Sequence, residues 1–454
     1  MEVGNTSPIQ EEGFYKRFFV IVIPLILQQF VSISLNFIDT IMVGKLGETS
    51  IAAVGVANKL YFIYALMLFG ALGGASIFLA QYYGKKDYRN FRRVFFISII
   101  VAIAFGAIFT PFAIIFAEPF MELFSNDLEV IFIGTGFLQL VAVSFPFNAI
   151  SIAIAFALRS MGKTKQALYI VLVATIINTV LNYGLIYGNW GLPRMEARGA
   201  ALATLIARLV EFSICLYFFF NAKYQMRATN WKKYLGFPKD KIESLVKISI
   251  PVFFTETVWV LATTVLYVAY GSLGTSALAS VNIAELVINA GSIIVFGVAT
   301  GANIIIAQTI GSGRLELAFA MSKKIIKMAI GISLSLSILA LLFRGQILNE
   351  FPLSPEAAAL TDKVLIAFSI AMFFKFINWI ALVGVLRAGG DTKVAFFIDA
   401  LPVVFIAIPL AFYTAMVLEL EIYWVVLIAN IEEVVKCVIA LWRFIGKKWM
   451  KNLT

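Results

Sequence analysis

One carboxylate stands alone in an apolar stretch of helix length. Between Phe18 and Val43 the segment FFVIVIPLILQQFVSISLNFIDTIMV carries Asp39 as its only formal charge. An ionised aspartate at the centre of a membrane helix costs about 2.5–3.5 kcal/mol on insertion scales, so such a group faces a bundle interior or a wet cavity and has partners. Asn36, three residues earlier, shares its helical face. Further along, NTVLN puts Asn178 and Asn182 one turn apart on one face. These amides can hydrogen-bond the carboxyl, or join it in offering oxygens to a sodium ion, a hard cation that takes carboxylate, carbonyl and water ligands. The chemistry expected here is the exchange of a proton or a sodium ion at Asp39. The alternative is a structural network that ties two helices together.

A second group of charges lies in the other half of the chain. Glu256, in TETVW, follows Pro251 by five residues, and Lys375 sits in FFKFINW. An ion pair between Glu256 and Lys375 is expected, which would hold the carboxylate ionised; alternatively Lys375 extends toward an interface. Glu285 is expected to join this network. Asp399 follows a loop by two turns and either lines a cavity or stays near an interface. Glu432, Glu433 and Lys436, and separately Arg208 and Glu211, have i,i+3 or i,i+4 spacings that suit structural ion pairs rather than a substrate site.

The elements that must position these groups are transmembrane helices. Of 454 residues, 61% are hydrophobic and 14% charged, with a mean hydropathy of +0.93; soluble domains run nearer half apolar and a quarter charged. Apolar runs of 18 or more residues recur along the whole chain, each able to cross roughly 30 Å of hydrocarbon as a helix. Barrel strands would instead alternate in polarity over about ten residues. The expectation is an all-α integral membrane protein with twelve spans, near 18–43, 51–83, 94–117, 130–157, 165–189, 199–221, 243–271, 277–310, 322–343, 361–386, 394–418 and 422–443.

Charge placement orients the chain. The loops GKKDYRNFRR (84–93) and NWKKYLGFPKDK (230–241) are strongly basic, whereas AEPFMELFSNDLE (117–129) has no cation. By the positive-inside rule both termini are expected in the cytoplasm of a multi-pass inner-membrane protein. The net charge of +10 reads as this asymmetry beside an anionic leaflet, not as nucleic-acid binding. The acidic start MEVGNTSPIQEEG lacks the pattern of a removed signal peptide, so the first span is expected to be retained. Cys215 and Cys437 fall within spans and read as small buried hydrophobes. There is no histidine, which leaves titration to carboxylates. No Walker A pattern and no catalytic constellation appears, so neither an ATP-driven pump nor an enzyme is expected, and no cofactor beyond a bound sodium ion or proton. The 42 Phe, 16 Tyr and 7 Trp suit lipid contact and interfacial belts, with a subset available for cation–π contact to organic cations.

An internal repeat sets the architecture. Residues 24–84 align without a gap on 251–311, with 16 identities in 61 positions. Pro24 falls on Pro251, Leu46 and Gly47 on Leu273 and Gly274, and AQYYG (80–84) on AQTIG (307–311). LRSMGKTK (158–165) similarly matches LRAGGDTK (386–393). The chain thus reads as two pseudo-symmetric six-helix lobes, 1–222 and 241–454, joined by a basic cytoplasmic linker at 223–240. Parallel repeats of this kind place a substrate site between the lobes and let them rock. In that alignment Asp39 falls on Leu266, Glu256 on Gln29 and Glu285 on Asn58, so the two lobes have different ionic interiors.

The segments FIDTIMVGKLG (37–47), AVGVANKL, GGASIFLAQYYG, LRSMGKTK, NTVLNYGLIYG, IPVFFTETVW, YGSLGTSALASVNIA and LRAGGDTK, in this order, resemble the multidrug and toxic compound extrusion (MATE) family over nearly the whole chain. The resemblance implies an antiporter in the lipid bilayer that exports organic, often cationic amphipathic compounds in exchange for sodium ions or protons; a monomer is expected because the two-lobe fold carries its own pseudo-dimer. It implies two six-helix lobes around a V-shaped cavity that alternate between outward- and inward-facing states. It also implies that Asp39 is the first-helix coupling aspartate, with Asn178 and Asn182 as its fifth-helix partners. Where some members have a second aspartate this sequence has Asn182, and where the NorM branch has a tenth-helix aspartate it has Lys375. The alternative within the same superfamily is a flippase for lipid-linked saccharides or lipids.

Overall fold

The computed structural model describes residues 11–221, 224–227, 236 and 238–454. Most of the linker expected at 223–240 lies outside the described residues. Those described are helical with short connections, and no strand occurs among them. In the first half the helices are α1 (Glu11–Gly44), α2 (Glu48–Lys85), α3 (Tyr88–Ile115), the short α4 (Ala117–Glu122), α5 (Leu128–Ala142), α6 (Phe145–Ser160), α7 (Thr164–Tyr187) and α8 (Glu196–Phe220). The second half has α9 (Lys239–Gly271), α10 (Thr275–Gly311), α11 (Leu315–Asn349), α12 (Pro355–Trp379), α13 (Thr392–Pro402), α14 (Ile408–Phe412), α15 (Ile422–Ala429) and α16 (Ile431–Ile445).

Among the described residues, ten continuous helical segments are long and apolar enough to cross a membrane. The fourth expected span, 130–157, is a bent pair: α5 and α6 meet at 50°. Pro146, in the first turn of α6, has no amide hydrogen to continue the ladder. The Ala142 carbonyl, which loses its helical donor at Pro146, accepts instead from Thr110 Oγ1 at 3.3 Å, and nearby Tyr64 OH donates to the Phe145 carbonyl at 2.7 Å. The twelfth expected span, 422–443, is also broken, at Asn430 between α15 and α16. The break gives α16 an N-terminus of its own, and Glu432 and Glu433 stand in its first turn, where the helix dipole favours negative charge.

The tenth and eleventh spans depart from regular α geometry. After Trp379 the chain winds through a π-helical segment, Ile380–Leu386, and one 3-10 turn, Arg387–Gly389. Two more π segments, Val403–Ala407 and Tyr413–Val417, flank α14. Wider turns rotate the side chains beyond them relative to a straight helix.

The repeat survives in the local geometry. Gly47 and Gly274, aligned in the repeat, hold φ of +113° and +103° at the α1–α2 and α9–α10 turns, a left-handed conformation that glycine adopts without a Cβ clash. Helix α1 touches both halves. Phe14, Phe18, Val22 and Leu25 are buried with α10 residues such as Val298 and Ala302, whereas Val43 is buried with Leu60, Tyr64 and Ile186 of the first half. The part of α1 that carries Asp39 is therefore packed apart from its beginning.

Candidate functional site

Asp39 lies on the last third of α1, half-buried, opposite the face of α7 that carries Asn178 and Asn182. Both asparagines are almost fully buried, at 3% and 1% exposure. Their one-turn spacing lets a single amide serve two acceptors: Asn182 Nδ2 donates to Asp39 Oδ1 at 2.6 Å and to Asn178 Oδ1 at 3.1 Å. Asn178 Nδ2 donates in turn to Thr204 Oγ1 at 3.3 Å, and that hydroxyl donates to the Ala200 carbonyl. The network thus runs from α1 through α7 to α8. Asn182 Oδ1 is left buried without a hydrogen-bond partner among the described residues.

No cation closes this network. Among the described residues Asp39 belongs to no ion pair. Arg208 is one helical turn beyond Thr204 on α8, but its guanidinium is engaged elsewhere, with Glu211 Oε2 at 2.6 Å and Tyr61 OH at 2.9 Å. What remains around Asp39 is a carboxylate and amide oxygens in an apolar lobe, a donor set suited to a proton or a hard monovalent cation. Asn36, expected on the same face, does not join it. Its side chain is exposed, and its backbone carbonyl accepts from Thr40 Oγ1 at 2.8 Å.

The second half contains a larger network, organised differently from the expectation. Glu256 pairs with Arg387, Nη1 to Oε1 at 3.0 Å, and not with Lys375. Lys375 is half-buried on α12 twelve positions before Arg387, which is roughly 18 Å of helix rise, so one carboxylate cannot reach both. Arg387 Nη2 also lies 3.9 Å from Asp399 Oδ2, and Lys436 Nζ lies 3.3 Å from Asp399 Oδ1. Lys436 continues the chain to Glu432 at 2.8 Å and Glu433 at 3.9 Å. Glu433 accepts from Asn378 Nδ2 at 2.7 Å. The residues of the last span, set aside from the sequence as a local cluster, are therefore continuous with Glu256 and Asp399. Four carboxylates share two cations there. Glu285 is half-buried beside Tyr267 and stands in no ion pair among the described residues.

Two members of these networks were not singled out from the sequence. Arg387 belongs to an LR pair present in both halves, a pattern that reads as shared architecture. The available signal was the need of a membrane-embedded Glu256 for a cation on the same span as Lys375. Thr204 carries no charge and gave no signal; only its contact with Asn178 identifies it.

With this geometry established, the comparisons with known proteins are informative. The family model described as MatE matches residues 24–184 and 251–413. The chain is 25% identical over 376 residues to the uncharacterized transporter YisQ of Bacillus subtilis, covering 82% of each. It is 28% identical over 427 residues to the probable multidrug resistance protein NorM of Bacillus licheniformis, covering 88% of this chain and 90% of the relative. Among solved structures, the Vibrio cholerae MATE transporter VcmN in the bent form matches with a TM-score of 0.86 at 17% identity, over 96% of this chain and 97% of that one. A MOP superfamily transporter from Pyrococcus furiosus matches with a TM-score of 0.84 at 18% identity and the same coverage. At these identities the structural likeness shows a shared fold.

Proposed function

The chain belongs to the MatE family, and from that premise we propose that it is an ion-coupled antiporter that exports organic, cationic amphipathic compounds across the cell membrane. It works as a monomer with both termini in the cytoplasm. The lobes 1–222 and 241–454 rock about a central cavity to give alternating access.

Asp39 is the coupling group. The observation that supports this is its partnership: a half-buried carboxylate held by the Asn182 amide with no cation within 4.0 Å among the described residues, whereas Glu256, Asp399, Glu432 and Glu433 each have one. A carboxylate already neutralised by a fixed cation has little to gain from binding another positive charge. Asp39 has that gain available. A proton or sodium ion arriving from outside neutralises it and weakens its hold on Asn182. The outer part of α1 then repacks against α7, and the cavity expels its substrate. Substrate entering from the cytoplasm favours the opposite packing and releases the ion. Exchange requires only that substrate and ion prefer different states. Each elementary charge crossing 100 mV supplies about 2.3 kcal/mol, so one or two ions support a useful gradient. The second-lobe network holds Asp399 and Glu256 partly exposed, at 26% and 20% of their side chains, and contributes negative charge that suits a cationic substrate.

The test uses inside-out vesicles that contain the purified protein, a fluorescent organic cation, and sodium or proton gradients imposed one at a time. The expected result is accumulation of the cation driven by one of the two gradients. Equal accumulation with and without either gradient would remove the coupling, and no accumulation of any organic cation would remove the proposed substrate class.

A further inference from the structure

A cavity of 240 Å³ opens at the end of the molecule where Arg17 and the last residues of the chain both lie, between the start of α1, the α2–α3 turn and the α10–α11 turn. Arg17, Lys86 and Arg314 line it together with Tyr83, Tyr88 and Ser312. Three cations from three separate elements face this one space, and none of them is in an ion pair among the described residues. The neighbouring carboxylates are committed elsewhere. Asp87 accepts from the Asn90 backbone at 3.1 Å and its side-chain amide at 2.7 Å, capping α3, and Glu316 lies 3.7 Å from Lys447.

The internal repeat shows that this arrangement belongs to one half only. Continuing the register that aligns Gln81 with Gln308, Arg17 falls on Ser244, Lys86 on Gly313 and Arg314 on Asp87. The two glutamines also differ in what meets their side-chain oxygens. Gln81 Oε1 accepts from the backbone of Leu453 at 2.8 Å, and Gln81 Nε2 donates to the Lys451 carbonyl, so the chain's own final residues fill that side. Gln308 Oε1 accepts instead from Arg17 Nη2 at 3.0 Å, at the wall of the open cavity. One side of the pseudo-symmetric junction is plugged by polypeptide, and its counterpart is an open concavity ringed by unneutralised positive charge.

We propose that this cavity binds a phosphate group, carried by an anionic lipid headgroup or free in solution. Guanidinium and ammonium groups converging with tyrosine and serine hydroxyls supply the charge-assisted donors that phosphate oxygens take. Basic pockets at the ends of transmembrane helices suit phospholipid headgroups. A phosphate there bridges α1 to the turns that follow α2 and α10. It consequently stabilises the closed junction through Arg17 and Gln308. The binding site stands without the transport reading, and its test does not use transport.

The experiment is native mass spectrometry of the full chain purified in detergent and mixed with short-chain phosphatidylglycerol. It compares wild type, the triple variant Arg17→Gln, Lys86→Gln, Arg314→Gln, and a control of equal charge change, Arg89→Gln, Lys165→Gln, Lys393→Gln. The expected result is a lipid adduct retained by wild type and control and reduced at least tenfold in the cavity variant. Competition by millimolar inorganic phosphate identifies free phosphate as a ligand; persistence of the adduct identifies the lipid headgroup. Lys86→Gln and Arg314→Gln, made singly, hold nothing across the junction and carry the test if the triple variant folds poorly. Equal adducts in wild type and all cavity variants, or equal loss in cavity variant and control, would overturn the proposal.

Discussion

Gln81 and Gln308, related by the internal repeat, each reach into the opposite half of the molecule. Gln81 Nε2 donates to the carbonyl of Ala388 at 3.2 Å, and Gln308 Nε2 donates to that of Ser160 at 2.7 Å. Ser160 and Ala388 occupy the same place in LRSMGKTK and LRAGGDTK. Gly84 lies against the backbone of Gln308, and Gly311 against that of Gln81. The junction is thus a reciprocal clasp of two AQ-x-x-G segments, with residues 449–454 laid across one side of it.

Opening this end of the molecule must break the clasp. Replacing both Gln81 and Gln308 by Ala leaves buried carbonyls unpaired, at about 1–3 kcal/mol each. Spin labels at Arg89 and Lys393, exposed positions at this end of the two halves, are expected to move apart in the double variant. An unchanged distance distribution would show that the clasp does not hold the end closed.

The close approach at Gly84 gives a separate test. A Cβ added there meets the Gln308 backbone, which cannot move aside as a flexible side chain can, whereas one added at Gly55 meets nothing within 4 Å. Gly84→Ala is expected to destabilise by about 1–3 kcal/mol, the usual range for overpacking, and Gly55→Ala to be stabilising or neutral. Thermal unfolding of the two variants in one detergent decides it.

The second-lobe network predicts unequal roles for its two candidate cations. Arg387→Gln removes the partner of Glu256 and leaves four carboxylates to Lys436; breaking a buried pair in this way costs about 3–5 kcal/mol. Lys375→Gln removes no ion pair among the described residues and is expected to leave the unfolding midpoint nearly unchanged. The reverse ranking would restore the Glu256–Lys375 pair expected from the sequence.

Around Asp39, Asn182→Ala removes the donor to the carboxylate and is expected to change the half-saturating concentration of the coupling ion about tenfold or more, since a hydrogen bond to a charged group is worth about 1.5–3 kcal/mol. Asn36→Ala, whose side chain is exposed outside the network, is expected to stay near wild type. Flux measured against ion concentration in vesicles separates the two.

The spans were legible because the bilayer imposes a length and a polarity that no soluble helix must satisfy, and the repeat was legible because glycines, a proline and glutamines coincide at fixed offsets. Asp39, Asn178 and Asn182 could be joined because one helical turn fixes two of them on a shared face and a lone carboxylate requires a partner. What failed depends on rotation and depth. Asn36 and Asp39 are neighbours along α1, but only Asp39 meets α7. Glu256 pairs with Arg387 and not with Lys375 because Arg387 lies about 18 Å of helix rise further along the span, a difference in depth that hydrophobic periodicity does not reveal. The break at Asn430 has no glycine or proline to mark it in the sequence, which also hid the continuity of Glu432, Glu433 and Lys436 with Asp399.

The central claim is that Asp39 couples ion and substrate movement. Its most direct test is transport of a fluorescent organic cation by Asp39→Asn protein in vesicles, measured both under an imposed sodium or proton gradient and as exchange of labelled for unlabelled substrate with no gradient. Asp39→Asn is expected to lose gradient-driven accumulation while it keeps substrate exchange. Gradient-driven accumulation at the wild-type rate would contradict it and make the Asp39–Asn182 contact a structural tie between α1 and α7.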